Sequence, residues 1–136
     1  MYGVAIDQVF GNVNIDVSNV VFDSRKVVSN AVFIAQKGVT VDGHLYINKA
    51  IDLGAIAIVC ENVPPEKKQG VTYIKVNDAN VALAIMASNF YDNPSSKIPL
   101  VGVTGTNGKT TIASLLYQLF KKAGYRVGLL STVKIL

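Results

Sequence analysis

With a single cysteine, Cys60, the chain cannot close an internal disulfide or gather a cysteine cluster around a metal. Met1–Phe10 carries no lysine or arginine, so no basic-then-apolar secretory signal opens the sequence. No uninterrupted apolar run approaches the ~20 residues that a membrane span requires. Internal repeats and low-complexity tracts are absent. So is the dinucleotide fingerprint G-x-G-x-x-G, which argues against NAD or FAD. Acidic residues stop at Asp92: residues 97–136 hold six basic side chains and no acidic one. These absences suit a soluble, cytoplasmic protein.

What is present is apolar. Half of the 136 residues are hydrophobic, 16% are charged, and the mean hydropathy is +0.36. That composition buries a core and excludes intrinsic disorder. The length allows one ordinary domain, or one domain and a fragment of another. The net charge of +4 is unevenly spread, at −2 over residues 1–96 and +6 over 97–136. Such a break suggests a second module facing something anionic. The basic part lacks the dense Arg/Lys and interleaved aromatics of a nucleic-acid surface, so a small anion is the expected partner.

The patterns predict an α/β chain. Short strands are expected at Val13–Ile15 and Asn19–Phe22, and a buried one at Ala31–Ala35. Asp42 caps a helix of about three turns carrying Leu45, Ile47, Ala50 and Ile51, and Gly54 stops it. Ala55–Cys60 is apolar and β-branched throughout, as a strand covered on both faces requires. After a solvated loop at Val63–Gly70 come a strand at Val71–Val76 and a helix capped by Asp78, with Ala79, Ala82, Leu83, Met86, Ala87 and Phe90 on its apolar face.

Tyr91–Pro99, with two prolines and two serines, reads as a linker, which sets domains at 1–96 and 97–136. Beyond it a strand at Leu100–Val103, a polar turn at Thr104–Gly108, a helix at Thr110–Ala123 and a strand at Arg126–Ser131 would make one βαβ unit of a parallel sheet. About 40 residues cannot cover both faces of such a sheet. The chain is therefore expected to be the N-terminal piece of a longer enzyme, cut inside its second domain. The helix face of Ile112, Leu115 and Leu119 should then stand open, and residues 98–136 should be less rigid than 1–96.

The strongest chemical signal is Gly105-Thr106-Asn107-Gly108-Lys109-Thr110-Thr111, between a strand and a helix. Its glycines allow backbone N–H groups to converge on a phosphate, and the helix N-terminus adds positive potential. Lys109 supplies a mobile charge for the β- and γ-phosphates, and the Thr110 hydroxyl a ligand for Mg²⁺. The spacing departs from G-x-x-x-x-G-K-[ST], because position 103 is Val where that pattern has Gly.

The segment TGTNGKTT, preceded by LVGV, resembles the ATP site of the Mur ligases, the ATP-dependent amino-acid ligases of peptidoglycan precursor synthesis. Phe22-Asp23-Ser24-Arg25, Val32–Ala35, Gly38, Asp42-Gly43-His44, Ala50 with Gly54-Ala55, and the approach ending NFYDNP are similar to one member of that family. That member joins meso-diaminopimelate or L-lysine to UDP-N-acetylmuramoyl-L-alanyl-D-glutamate. The resemblance spans roughly residues 20 to 132 and implies a small α/β domain that grips the UDP substrate. The first βαβ unit of a truncated parallel-sheet P-loop ATPase domain would follow it.

By position in the resemblance, Phe22, Ser24, Val39, Thr40 and Val41 would contact the UDP substrate, Arg25 could add its guanidinium to uracil or diphosphate, and Gly105–Thr111 would bind ATP, with Lys109 catalytic and Thr110 on Mg²⁺. The γ-phosphoryl would pass to the D-glutamyl carboxylate, and the incoming amine would attack the acyl phosphate. The 136-residue chain alone is expected to be inactive. Two alternatives are a ligase of the same family that adds D-alanyl-D-alanine, and a non-catalytic UDP-sugar-binding fragment.

Other residues read more simply. Ser24 and Arg25 could equally be a turn and a surface charge. Asp42 reads as a helix cap, His44 as a neutral positional residue, and Cys60 as small core filler. Tyr117 and Phe120 are helix packing, and Lys121, Lys122 and Arg126 solvated helix-end charges.

Overall fold

A computed structural model describes residues 2–38, 41–132 and 135, and the chain divides into two compact units, Met1–Lys97 and Ile98–Leu136. The first is built on a five-stranded sheet of β1 (Ile6–Phe10), β2 (Asn19–Val21), β3 (Ala31–Ala35), β4 (Ala55–Cys60) and β5 (Thr72–Val76). The order is β1-β5-β4-β3-β2, with β2 to β5 parallel and β1 antiparallel at the edge. All the parallel strands therefore end at one edge of the sheet.

β3 and β4 are apolar throughout because both faces of the sheet are covered. Ala31, Phe33, Ala35, Ala55, Ile58 and Cys60 pack beside α1 (Ile47–Asp52) in one core. Val32, Ile34, Ala57, Val59 and Ile74 pack beside α2 (Ala79–Phe90) in the other. A register shift makes this possible: Ala31 pairs with Ala55, but Val32 pairs with Ala57, so Ile56 is the extra residue of a bulge. The bulge puts Ala55 and Ile58, three positions apart, on the same face. Phe33 is 1% exposed and Ile58 fully enclosed; burying side chains of this size contributes about 1.5–3 kcal/mol each.

The expected helix from Asp42 to Gly54 forms as a 3₁₀ turn, Gly43–Tyr46, running into α1. The strand expected at Val13–Ile15 does not form. Asn12 bonds its own side chain to the backbone of Asn14, which turns the chain out of the sheet, while Ile15 and Val17 drop onto the α2-side core. The edge position is filled instead by β1, whose pairing with β5 shifts register between Ile6 and Gln8.

The second unit contains α3 (Lys109–Lys122). The strands expected at Leu100–Val103 and Arg126–Ser131 are absent: neither segment joins a ladder, and only an isolated bridge, Leu130 to Ile135, is present there. A strand exists by its partner, and these two segments do not pair with each other. The apolar face of α3 is open, with Ile112, Leu115 and Leu119 exposed. No helix among the described residues is long and apolar enough to cross a membrane.

Candidate functional site

Parallel sheets bind ligands beyond the carboxyl ends of their strands. In the first unit that edge carries Phe22–Lys26 after β2, Gln36–Asp42 after β3, Glu61 and Asn62 after β4, and Asn77 and Asp78 after β5. Phe22 is an exposed aromatic ring at the end of β2. Asp23 then caps a single 3₁₀ turn, accepting from Arg25 N at 3.0 Å. Ser24 inside that turn is 8% exposed, and its hydroxyl, which bonds to no described residue, keeps access to the surface because no enclosed polar side-chain atom lacks a partner. A free hydroxyl at this edge is a ready ligand group.

Arg25 is exposed but not unattached. Its Nε and Nη2 donate to the two oxygens of Asp23 at 2.9 and 2.8 Å. The guanidinium holds the Asp23 carboxyl at about 2, well below its ordinary range, and the carboxylate raises Arg25 in return. The fork fixes the orientation of Arg25 and leaves it less charge to offer a ligand.

After β3 the chain folds back on itself. Lys37 bridges to Asp42, and Gly38 N–H donates to Val41 O at 2.9 Å. Val41 is exposed here. Val39 and Thr40 lie outside the described residues. The base of this loop rests on β3 through Gly43 N–H donating to Gln36 O at 2.7 Å, and on α2 through Gln36 Nε2 donating to Asn80 Oδ1 at 2.7 Å.

His44 is the residue whose reach local sequence reasoning did not see. Its Nδ1 lies 2.6 Å from Asp42 Oδ1, and its Nε2 accepts from the backbone N–H groups of Glu61 and Asn62, both at 3.2 Å. Both bonds of Asp42, to the His44 amide and to its ring, lower the Asp42 carboxyl from its ordinary value. The only advance signal was the proximity of an Asp-Gly-His run to a helix start. The partners 17 and 18 residues away were not readable.

The second unit carries the glycine-rich turn. Gly105 and Gly108 have φ of 143° and 78°, values that side-chain-bearing residues rarely adopt. Gly108 stands at the N-cap of α3 with no side-chain hydrogen bond, and the first turn holds no acidic residue. The first amides of α3 are thus left for an outside acceptor. Lys109 Nζ donates to the carbonyls of Gly105 and Thr106, which draws its charge over the turn. Thr110 is exposed, and its hydroxyl has no partner among the described residues. Thr106, Asn107 and Thr111 are exposed around it.

A concavity lies elsewhere, away from both sites. A cavity of about 480 Å³ lies against Val20, Val32, Ala57, Ile74 and Met86 on the α2 side of the sheet. Asn12, Thr72 and Asn89 are the polar side chains in its otherwise apolar lining.

The family pattern described as Mur ligase family, catalytic domain, matches residues 16–91, more than half of the chain. The Mur ligase middle domain matches residues 103–135. The chain belongs to the Mur ligase family. UDP-N-acetylmuramoyl-L-alanyl-D-glutamate–2,6-diaminopimelate ligase of Phocaeicola vulgatus is 50% identical over 131 residues, which is 96% of this chain and 27% of that protein. The ligase of the same name from Cytophaga hutchinsonii is 53% identical over 135 residues, 98% of this chain and 28% of the other. The chain thus spans about a quarter of the length of these curated relatives.

Among solved structures, a ligase of that same name matches with a TM-score of 0.69 and 24% identity, over 88% of this chain and 24% of the other, and so shares the fold. A MurF ligase from Thermotoga maritima, solved with ADP, matches with a TM-score of 0.55 and 32% identity, over 76% of this chain and 23% of the other. The mixed α/β first unit with its five-stranded sheet is thus the fold shared with Mur ligases.

Proposed function

We propose that this chain is the N-terminal part of an ATP-dependent ligase that adds the third amino acid to UDP-N-acetylmuramoyl-L-alanyl-D-glutamate during peptidoglycan synthesis, in the cytoplasm where ATP is made available. Residues 1–96 form the UDP-substrate domain, with Phe22, Ser24, Arg25 and Val39–Val41 at its carboxyl edge. Residues 97–136 begin the ATP domain, with the glycine-rich turn and α3 as its phosphate-binding start. The observation that carries this reading is the uncapped α3 N-terminus over Gly108-Lys109-Thr110, in a chain half identical to relatives bearing that ligase name.

The residues present suit the chemistry. The amides opening α3 would hold the phosphates of ATP, and Lys109, already inside the turn, would move from the Gly105 and Thr106 carbonyls to the transferring phosphoryl. Mg²⁺ prefers hard oxygen ligands, and the unpartnered Thr110 hydroxyl offers one beside the phosphates. When bound, the ion would offset charge on the γ-phosphoryl. The names of the relatives favour 2,6-diaminopimelate over L-lysine as the amino acid. They also favour this reaction over D-alanyl-D-alanine addition, since the MurF neighbour is only 32% identical.

Ligation of labelled diaminopimelate by the full-length enzyme carrying Lys109→Ala tests the reading. Turnover should be abolished while the affinity for the UDP substrate is unchanged. Turnover retained within about tenfold, ~1.4 kcal/mol of barrier, would refute the phosphoryl-stabilising role. The 136-residue chain by itself should hydrolyse no ATP.

A further inference from the structure

Asn107 and Gly108 are the one Asn-Gly pair in the sequence, and they lie in the glycine-rich turn before α3. Asparagine followed by glycine is a reactive pair, because a residue without Cβ can bring its backbone nitrogen onto the asparagine side-chain carbonyl. The turn removes what would hinder that attack. Both residues are exposed. Neither the Asn107 side chain nor the Gly108 N–H has a hydrogen-bond partner among the described residues. A Cβ at Gly108 would meet nothing within 4 Å, so the ground around the pair is open.

Electrostatics act in the same direction. The attack passes through negative charge, first on the deprotonated Gly108 nitrogen and then on the side-chain oxygen. Lys109 Nζ rests on the Gly105 and Thr106 carbonyls, the first turn of α3 has no acidic residue, and residues 97–136 hold no acid at all. Positive potential at a helix start stabilises such developing anions. Asp42-Gly43 is the counter-example in the same chain. Its carboxylate accepts from the His44 amide and lies 2.6 Å from the His44 ring. Its glycine N–H donates to Gln36 O, and a Cβ on Gly43 would lie 2.6 Å from that oxygen. Neither member of that pair is free to close on the other.

We propose that Asn107 is a site of spontaneous deamidation whose product shuts the phosphate turn. The Gly108 nitrogen gives up its proton and bonds to the Asn107 side-chain carbonyl carbon, and the bond from that carbon to the side-chain nitrogen breaks. That nitrogen leaves with the proton as ammonia, and a five-membered succinimide remains. Water opens the ring at either carbonyl, to aspartate or to isoaspartate. One water is consumed and one ammonia released, with nothing oxidised or reduced. The new carboxylate stands next to the N-cap of α3, where the helix start and Lys109 attract it as they would a phosphate. Isoaspartate also adds a backbone atom within residue 107. The loss of ATP affinity rests on the reading that this turn binds the phosphates, whereas the deamidation itself does not.

The 136-residue chain is held at pH 6 and at pH 8, then digested and mapped by mass spectrometry. Asn107 should gain one mass unit, faster at pH 8 and about tenfold or more faster than any other asparagine. Isoaspartate should form at 107 and not at 42. Conversion at Asn107 no faster than elsewhere, or equal isoaspartate at 42, overturns the inference and leaves the proposed function standing. In the full-length enzyme, the converted protein and Asn107→Asp should each bind ATP about tenfold or more weakly, with the affinity for the UDP substrate unchanged. Saturating MgATP during ageing should slow the conversion, since bound phosphates cover the pair. Unaltered ATP affinity in protein that mapping shows to be converted overturns the blocking role. Failure of the fresh enzyme to bind ATP overturns the underlying reading instead, and the two are told apart because the mapping needs no nucleotide.

Discussion

Gly43→Ala is a one-methyl change whose cost can be worked from the structure. A Cβ at position 43 would lie 2.6 Å from Gln36 O, 2.8 Å from Gln36 N and 3.2 Å from Ala35 C. All three are backbone atoms at the end of β3, and Ala35 is fully buried, so the strand cannot retreat. Residues 42–44 would have to move by about 0.8 Å to reach ordinary contact distance. That movement breaks the 2.7 Å bond from Gly43 N–H to Gln36 O and pulls on the His44 contacts. Gly43 has no left-handed φ, so the clash is the whole cost. Overpacking of this kind costs about 1–3 kcal/mol, and the lost hydrogen bond about 1 more. For a unit of this size the sum lowers Tm by on the order of 15 °C. Thermal and urea unfolding of the variant, followed by circular dichroism, measure it. Gly102→Ala is the control, since a Cβ there meets nothing within 4 Å. A Gly43→Ala protein within about 0.5 kcal/mol of wild type would mean that the loop does not rest on β3 as described.

Three further outcomes follow from single groups. Asp23 is held at about 2 against an ordinary 3.8, so its contribution to stability is complete above about pH 4 and is lost as pH falls toward 2; the stability gap between wild type and Asp23→Asn should close over that window, and a gap constant from pH 6 to 2 would refute the pairing with Arg25. Burial pushes the Cys60 thiol up to about 11, so native protein at pH 8 should resist iodoacetamide and react only on unfolding in urea, and rapid native alkylation would show that β4 opens. Asp78 caps α2 by accepting from Asn80 and Val81 N–H, so Asp78→Ala should cost about 1 kcal/mol in urea unfolding, and no measurable loss would count against the cap.

What the sequence disclosed was local. The continuous apolar runs of β3 and β4, the caps at Asp42 and Asp78, and the glycine-lysine turn before α3 each depend on residues within a few positions of one another. β1 was hidden because its register shift breaks the alternation that would mark it. Leu100–Val103 has the composition of a buried strand, but composition does not supply a ladder partner, and the segment is exposed. At the carboxyl edge, Asp23-Ser24-Arg25 was legible as a cluster, whereas the fork that engages Arg25 was not. The anchoring of His44 to Glu61 and Asn62 required the sheet to bring β3 and β4 side by side.

The two longer helices open in opposite ways. The first amides of α2 are taken by carboxylates: Asp78 accepts from Asn80 and Val81, and Glu61 accepts from Ala79. An anion approaching that end would meet two negative charges and find three of the orphan donors occupied. At α3 the N-cap is Gly108, the first turn has no acid, and residues 97–136 contain no acidic side chain at all. A carboxylate or hydroxyl cap is worth about 1 kcal/mol to a helix, and α3 forgoes it while keeping Lys121 and Lys122 at its other end, where cations suit the dipole. An intrinsic stabilisation withheld only at the N-terminus, beside a lysine already folded over the turn, is what a phosphate site requires: the bound anion, and no side chain of the protein, satisfies the amides. The asymmetry between α2 and α3 supports the proposal that the phosphates of ATP bind at the start of α3.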